Sequence, residues 1–161
     1  MATRFVFTPY SAEFPSASFP QLQNVGNRPV LSYDDTSTET ARWSGISPCT
    51  LVAPLAASVF FFMASASSGS AVFQGAIEAV TPGDSINLSS TCSFDTATSG
   101  LSVAITASTM FRAVISFTSA CDSMAAYDYF RVAINRMPAS ASDTAVGDAH
   151  VVGVVMADGG A

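Results

Sequence analysis

The chain has 161 residues, enough for one domain with a core of its own and hardly enough for two. Six arginines, no lysine, one histidine and twelve acids give a formal net charge of -6, which disfavours phosphate and nucleic-acid partners. The missing lysine also removes a P-loop, a Schiff base and a Ser–Lys dyad together. Charged residues are only 11%, and Ala, Ser and Thr make up about 40% of the chain, so much of its surface must be small and uncharged, a surface that packs readily against neighbours.

Residues 1–27 read as an extended arm. Phe5, Phe7, Tyr10, Phe14 and Phe19 alternate with small and polar residues, while Pro9, Pro15 and Pro20 forbid a continuous helix and discourage a central strand. Such a segment cannot bury its rings on itself, so it lies along its own domain or along a neighbouring chain. Removing residues 1–20 is then expected to leave the rest folded. From residue 28 onward the pattern is one of short strands between turns, expected at 29–34, 38–44, 55–64, 71–80, 100–107, 110–118, 127–137 and 149–157. In 38–44, Ala41 and Trp43 share one face with Glu39. In 110–118, Phe111, Ala113, Ile115 and Phe117 share one. In 127–137, Phe130, Val132 and Ile134 face inward. Segment 71–80 can also be drawn as a helix, and the Ser/Thr-rich stretch 85–99 as a long loop or short helix. Eight strands over this length predict an all-β, eight-stranded antiparallel jelly-roll sandwich, residues 28–161, with the arm in front of it. An open edge in such a fold invites pairing with another chain.

No charged residue occurs between Trp43 and Ile77, but the most apolar part, residues 51–66, is short of the ~20 residues a membrane helix needs. A buried strand accounts for it, and no membrane partner is expected. Cys49, Cys92 and Cys121 are odd in number and lack C-x-x-C spacing, so they read as small buried hydrophobes in a reducing compartment. The first residues carry no apolar run of signal-peptide length, which places synthesis in the cytoplasm.

The runs Arg28-Pro29-Val30-Leu31-Ser32-Tyr33-Asp34, Glu39 with Trp43, Met63-Ala64-Ser65-Ala66-Ser67-Ser68-Gly69, Val72-Phe73-Gln74, Tyr129-Phe130-Arg131-Val132 and Asp143-Thr144-Ala145-Val146-Gly147-Asp148-Ala149 carry a family resemblance. Over residues 28–157 the chain resembles small β-sandwich virion structural proteins of tailed bacteriophages, of head decoration, cement or fibre type. The resemblance implies a homotrimer without enzymatic activity on the outer capsid surface, bridging major capsid protein subunits, with synthesis in the host cytoplasm. The alternative it leaves open is a head or tail fibre domain that recognises a cell-surface glycan.

No residue set reads as catalytic, and no cofactor or metal is expected. His150 is the one imidazole, two residues from Asp148, with no G-x-S-x-G nucleophile to serve. Asp34, Asp35 and Glu39 crowd one turn, and Asp143 and Asp148 flank another. Loop carboxylates can hold Ca²⁺, but without a D-x-D-x-D-G loop they read as turn formers. Tyr33, Trp43, Tyr127 and Tyr129 could form a sugar-stacking platform, against the simpler reading of Trp43 as core. The rings of the arm, Phe5, Phe7, Tyr10, Phe14 and Phe19, are the expected partner-binding element. Arg112, Arg131 and Arg136 are the expected oligomer interface, pairing across chains with acids such as Asp122 or Glu78.

Overall fold

The computed structural model describes residues 2–48, 54–89, 92–106, 109–117 and 121–158. In chain order these form β1 (Ala2–Phe7), a 3-10 turn (Pro9–Ser11), β2 (Gln21–Val25), β3 (Arg28–Tyr33), β4 (Glu39–Ile46), β5 (Leu55–Met63), β6 (Ser70–Val80), β7 (Leu101–Ala104), β8 (Phe111–Phe117), β9 (Tyr129–Arg136) and β10 (Ala149–Asp158). Two antiparallel sheets result. One runs β2-β3-β10-β5-β8, with β1 also paired to β10, and the other runs β4-β9-β6-β7. The molecule is a jelly-roll β-sandwich.

All eight expected strands are present, and the faces read from 38–44, 110–118 and 127–137 point inward. Ala41 and Trp43, Ala113, Ile115 and Phe117, and Phe130, Val132 and Ile134 all lie in the core between the sheets. Segment 70–80 is a strand of eleven residues rather than a helix, with Gln74 and the buried Glu78 on the face away from the core. The apolar run after Trp43 supplies β5, whose alternating burial is that of a sheet strand, and no described helix is long and apolar enough to cross a membrane.

The arm is where the expectation changes. Residues 2–7 and 21–25 are strands of the larger sheet, so ten strands replace eight. The prolines punctuate these strands and do not forbid them. Pro9 opens the 3-10 turn after β1, and Pro20 precedes β2. Gly26 and Asn27, both at positive φ (56° and 64°), close the β2–β3 hairpin as a two-residue turn of the primed type.

Pro29 has a second effect. β3 pairs with β10 at Leu31, Ser32 and Tyr33 only. Beyond Leu31 the next outward amide would come from Pro29, which has no N–H. β1 takes over the same edge of β10 from Val154 onward. Gly153 lies at this handover, where an added Cβ would stand 3.0 Å from the Phe7 carbonyl oxygen, so glycine eases the close approach of β1.

Candidate functional site on the outer face of the six-stranded sheet

The register of four strands builds one row of outward side chains. Gln21 on β2 lies opposite Ser32 on β3, Ser32 opposite His150 on β10, and His150 opposite Phe62 on β5. Their neighbours Leu31, Val151 and Phe61 point the other way, into the core. Met110 precedes Phe111, the β8 partner of Phe61, and so stands beside Phe62. The His150 ring packs on Phe62 at 5.1 Å between centroids, and burial pushes the imidazole below its ordinary pKa.

At one end of the row is a cleft of about 110 Å³ lined by Gln21, Gln23, Ser32, Asp34, Glu39 and Asp148. Asp34 Oδ1 accepts from the Thr36 hydroxyl (2.5 Å), the Thr36 N–H (2.7 Å) and the Ser37 N–H (2.8 Å). These bonds, the Thr36 hydroxyl first, lower its pKa to about 2. Glu39 Oε2 accepts the Asp34 N–H at 2.8 Å, yet burial and the nearby charges of Asp34 and Asp148 push its carboxyl above the usual range. The Ser32 hydroxyl donates to Asp148 (2.9 Å), and the Gly147 N–H donates to Asp35 (2.5 Å). Asp34, Asp35 and Asp148 each bring a carboxylate oxygen within 4.8 Å of the others, so these are the residues that could hold a hard cation.

Arg136 holds this end of the molecule in place. Its guanidinium is fully buried and its five N–H groups have five acceptors. Two are the oxygens of Asp143 (3.2 and 3.0 Å), and the others are the carbonyls of Gly147 (2.8 Å), Ala145 (2.9 Å) and Tyr33 (3.4 Å). One cation thereby ties the loop before β10 to the end of β3, which fixes Asp148 against Asp34 and Asp35.

At the other end of the row is a groove of about 380 Å³ lined by Arg28, Phe62, Thr109, Met110 and Val152. Its volume lies in the range of small-molecule sites. Phe62 is half-buried and Met110 exposed, so ring and thioether form an accessible apolar floor.

The outer face of the four-stranded sheet is partly covered by the chain itself. Segment 92–98 lies over it and along its edge. The Ser93 N–H donates to the buried Glu78, and the amides of Asp95 and Thr98 donate to the carbonyls of Ile77 and Gly75. Phe94 sits between the guanidiniums of Arg42 and Arg131, at 5.2 and 5.3 Å.

The residues singled out from sequence have distinct places. Phe5 packs edge-on against Phe130 at 4.8 Å, and Phe7 is buried near Trp43. Tyr10, Phe14 and Phe19 are exposed, the last two with ring centroids 5.4 Å apart. Arg112 is exposed on β8. Arg131 pairs with Glu78 of its own chain, where a partner across chains was expected. Asp122 accepts the Ala79 N–H at 2.8 Å, again within the chain. Arg136, fully buried, has no surface to offer a neighbouring chain. The tyrosine–tryptophan platform does not form. Tyr33 and Trp43 are fully buried, the first donating to the Ile134 carbonyl and the second to that of Thr8. Tyr127 is exposed and Tyr129 half-buried. Cys92 is exposed rather than buried, Cys121 is half-buried, and Cys49 lies outside the described residues. The groove and the amides of the cleft went unnoticed in the sequence. Gln21, Gln23, Arg28, Phe62 and Met110 share no motif and meet only through strand order.

No protein-family model matches the sequence, and no curated protein matches it. Among solved structures, the chain is similar to a CBM35 from Cellvibrio japonicus Abf62, with a TM-score of 0.50 and 9% identity over 96% of this chain and 93% of that one. It is also similar to a family 35 carbohydrate binding module from an environmental isolate, with a TM-score of 0.53 and 10% identity over 98% and 99% of the two chains. At this identity the likeness establishes the fold. The resemblance to phage head proteins gains nothing from it.

Proposed function

We propose that this chain is a non-catalytic glycan-binding domain whose site is the outer face of the six-stranded sheet. One observation carries the reading. Along one row of strands that face opens a cleft of amides, a hydroxyl and carboxylates at one end and a groove floored by an aromatic ring at the other, with the buried Ser32 and His150 between them. Sugar hydroxyls need convergent hydrogen-bonding groups, and pyranose rings need an apolar face to pack on. Both are present here, while the opposite sheet is partly covered by its own chain. The likeness to carbohydrate-binding modules supports the same reading. It favours the fibre-type glycan recognition implied by the phage resemblance over the head-cement role, which leaned on a free arm whose two ends are here strands of the sheet.

Affinity electrophoresis in gels containing a panel of soluble polysaccharides tests this. The expected result is retardation by at least one polysaccharide, with binding about tenfold weaker after Phe62→Ala and no release of reducing ends. Retardation by none, or equal binding by the variant, would overturn the reading.

A further inference from the structure

We propose that β2 is a self-association edge, along which two copies of this chain pair β2 with β2 antiparallel about a two-fold axis and join their six-stranded sheets. A sheet edge is a template for another strand unless charge, proline, a bulge, shortness or a covering segment blocks it. Each of the other described edges carries such a device. Segment 13–18 lies along β4: Glu13 and Arg42 exchange backbone bonds (2.7 and 3.0 Å), and the Thr40 N–H donates to the Ser18 carbonyl (2.9 Å). β7 has four residues, β8 carries the exposed Arg112, and β1 carries Arg4 and a register shift between Thr3 and Phe5. β2, Gln21-Leu22-Gln23-Asn24-Val25, has no charge and no proline, pairs with β3 without a shift and is exposed over its first four residues. In a chain of net charge -6, an uncharged edge is where a second copy can approach.

The hairpin decides the register. Val25 and Arg28 flank its two-residue turn and exchange bonds, as do Gln23 with Val30 and Gln21 with Ser32. The N–H and C=O groups of Leu22 and Asn24 therefore point away from β3, and no other described segment bonds them. Pairing two copies brings Leu22 opposite Asn24 of the second copy, and the reverse, with Gln23 opposite Gln23 on the axis. Both outward residues of each strand then bond. A shift by two residues either way sets Asn24 opposite Pro20, which has no N–H, or Leu22 opposite Gly26 in the turn. The two Leu22 side chains, each 43% exposed in the single chain, meet diagonally across the axis. Charge agrees with this pairing. Arg28 makes no ion pair among the described residues and donates to the Gly26 carbonyl (3.2 Å) at the hairpin tip. Val25 lies opposite Gln21 of the second copy, so each tip comes beside the other copy's carboxylate cleft, lined by Gln21, Asp34, Glu39 and Asp148. The added strands extend the edge and leave the outer face of both sheets open.

Sedimentation equilibrium of the full chain, from micromolar to millimolar concentration, tests this. A contact of one strand is at the low end of interface sizes, so the expected result is a reversible rise from one chain mass to two, weakened by salt. Leu22→Lys puts like charges together across the axis, and Asn24→Pro removes an outward N–H that β3 does not use. Each is expected to weaken the dimer about tenfold or more, with an unchanged circular dichroism spectrum. Gln23→Cys reads the register directly. Opposed residues of a non-hydrogen-bonded pair stand ~4.5 Å apart at Cα, within disulfide range, so mild oxidation is expected to join two copies through position 23. Four results overturn the inference: one chain mass across the range, a trimer, a dimer unaffected by Leu22→Lys and Asn24→Pro, or a dimer of Gln23→Cys that does not cross-link at position 23. Glycan binding is measured separately and stands or falls on its own.

Discussion

At the scale of single residues, Arg136 shows how a chain poor in charge uses one. A buried guanidinium is tolerated only when its charge and all its donors are matched, and here a bidentate carboxylate and three carbonyls match them. Arg136→Ala leaves Asp143 buried without a cation and is expected to cost about 3–5 kcal/mol in urea unfolding. Arg136→Lys, a point charge with three donors, should fall between the two. Glu39 acts in the opposite sense. Its folded pKa stands above the unfolded value, so it favours folding less as pH rises through that window, and the penalty is complete above it. Glu39→Gln keeps an acceptor for the Asp34 N–H and removes the charge. Its melting temperature is expected to exceed that of the wild type by about a degree or two at pH 7, with the gain gone at about pH 3.5, where the carboxyl is protonated in both states. Differential scanning calorimetry of the pair at the two pH values measures this.

At the scale of elements, β1 is part of the core. Phe7 is 8% exposed, Phe5 rests on Phe130, and the Trp43 indole donates to the Thr8 carbonyl. Phe7→Ala is expected to cost about 3 kcal/mol by chemical denaturation, within the ordinary range for a buried Phe. Truncation of residues 1–20 should therefore destabilise the sandwich, where the arm reading expects it to stay folded. The eight strands from β3 to β10 were legible because each is an alternating or continuously apolar run between turn signals. β1 and β2 were not, because proline was weighed as a strand breaker, when Pro9 and Pro20 merely bound the strands. Gly26-Asn27, the turn that closes the β2–β3 hairpin, formed no part of that reading. The site was less legible than the fold. Asp34 and Asp148 stand out as turn residues, but Gln21, Ser32, His150 and Phe62 come from β2, β3, β10 and β5, and only the order of those strands aligns them.

At the scale of the whole molecule, the two sheets have different fates. The four-stranded sheet spends its outer face on its own segment 92–98, with Phe94 held between two arginines. The six-stranded sheet keeps a polar cleft and an apolar groove open on its outer face, on either side of the buried Ser32 and His150. This asymmetry assigns recognition to one side of the sandwich. The most direct measurement is an amide-resolved NMR titration with a polysaccharide fragment that retards the chain. The account predicts shift changes confined to the residues that line the cleft and the groove, from Gln21, Ser32, Asp34 and Asp148 at one end to Phe62, Met110 and Val152 at the other. Changes centred on Phe94 and the four-stranded sheet, or on the loop around Tyr127, would contradict it.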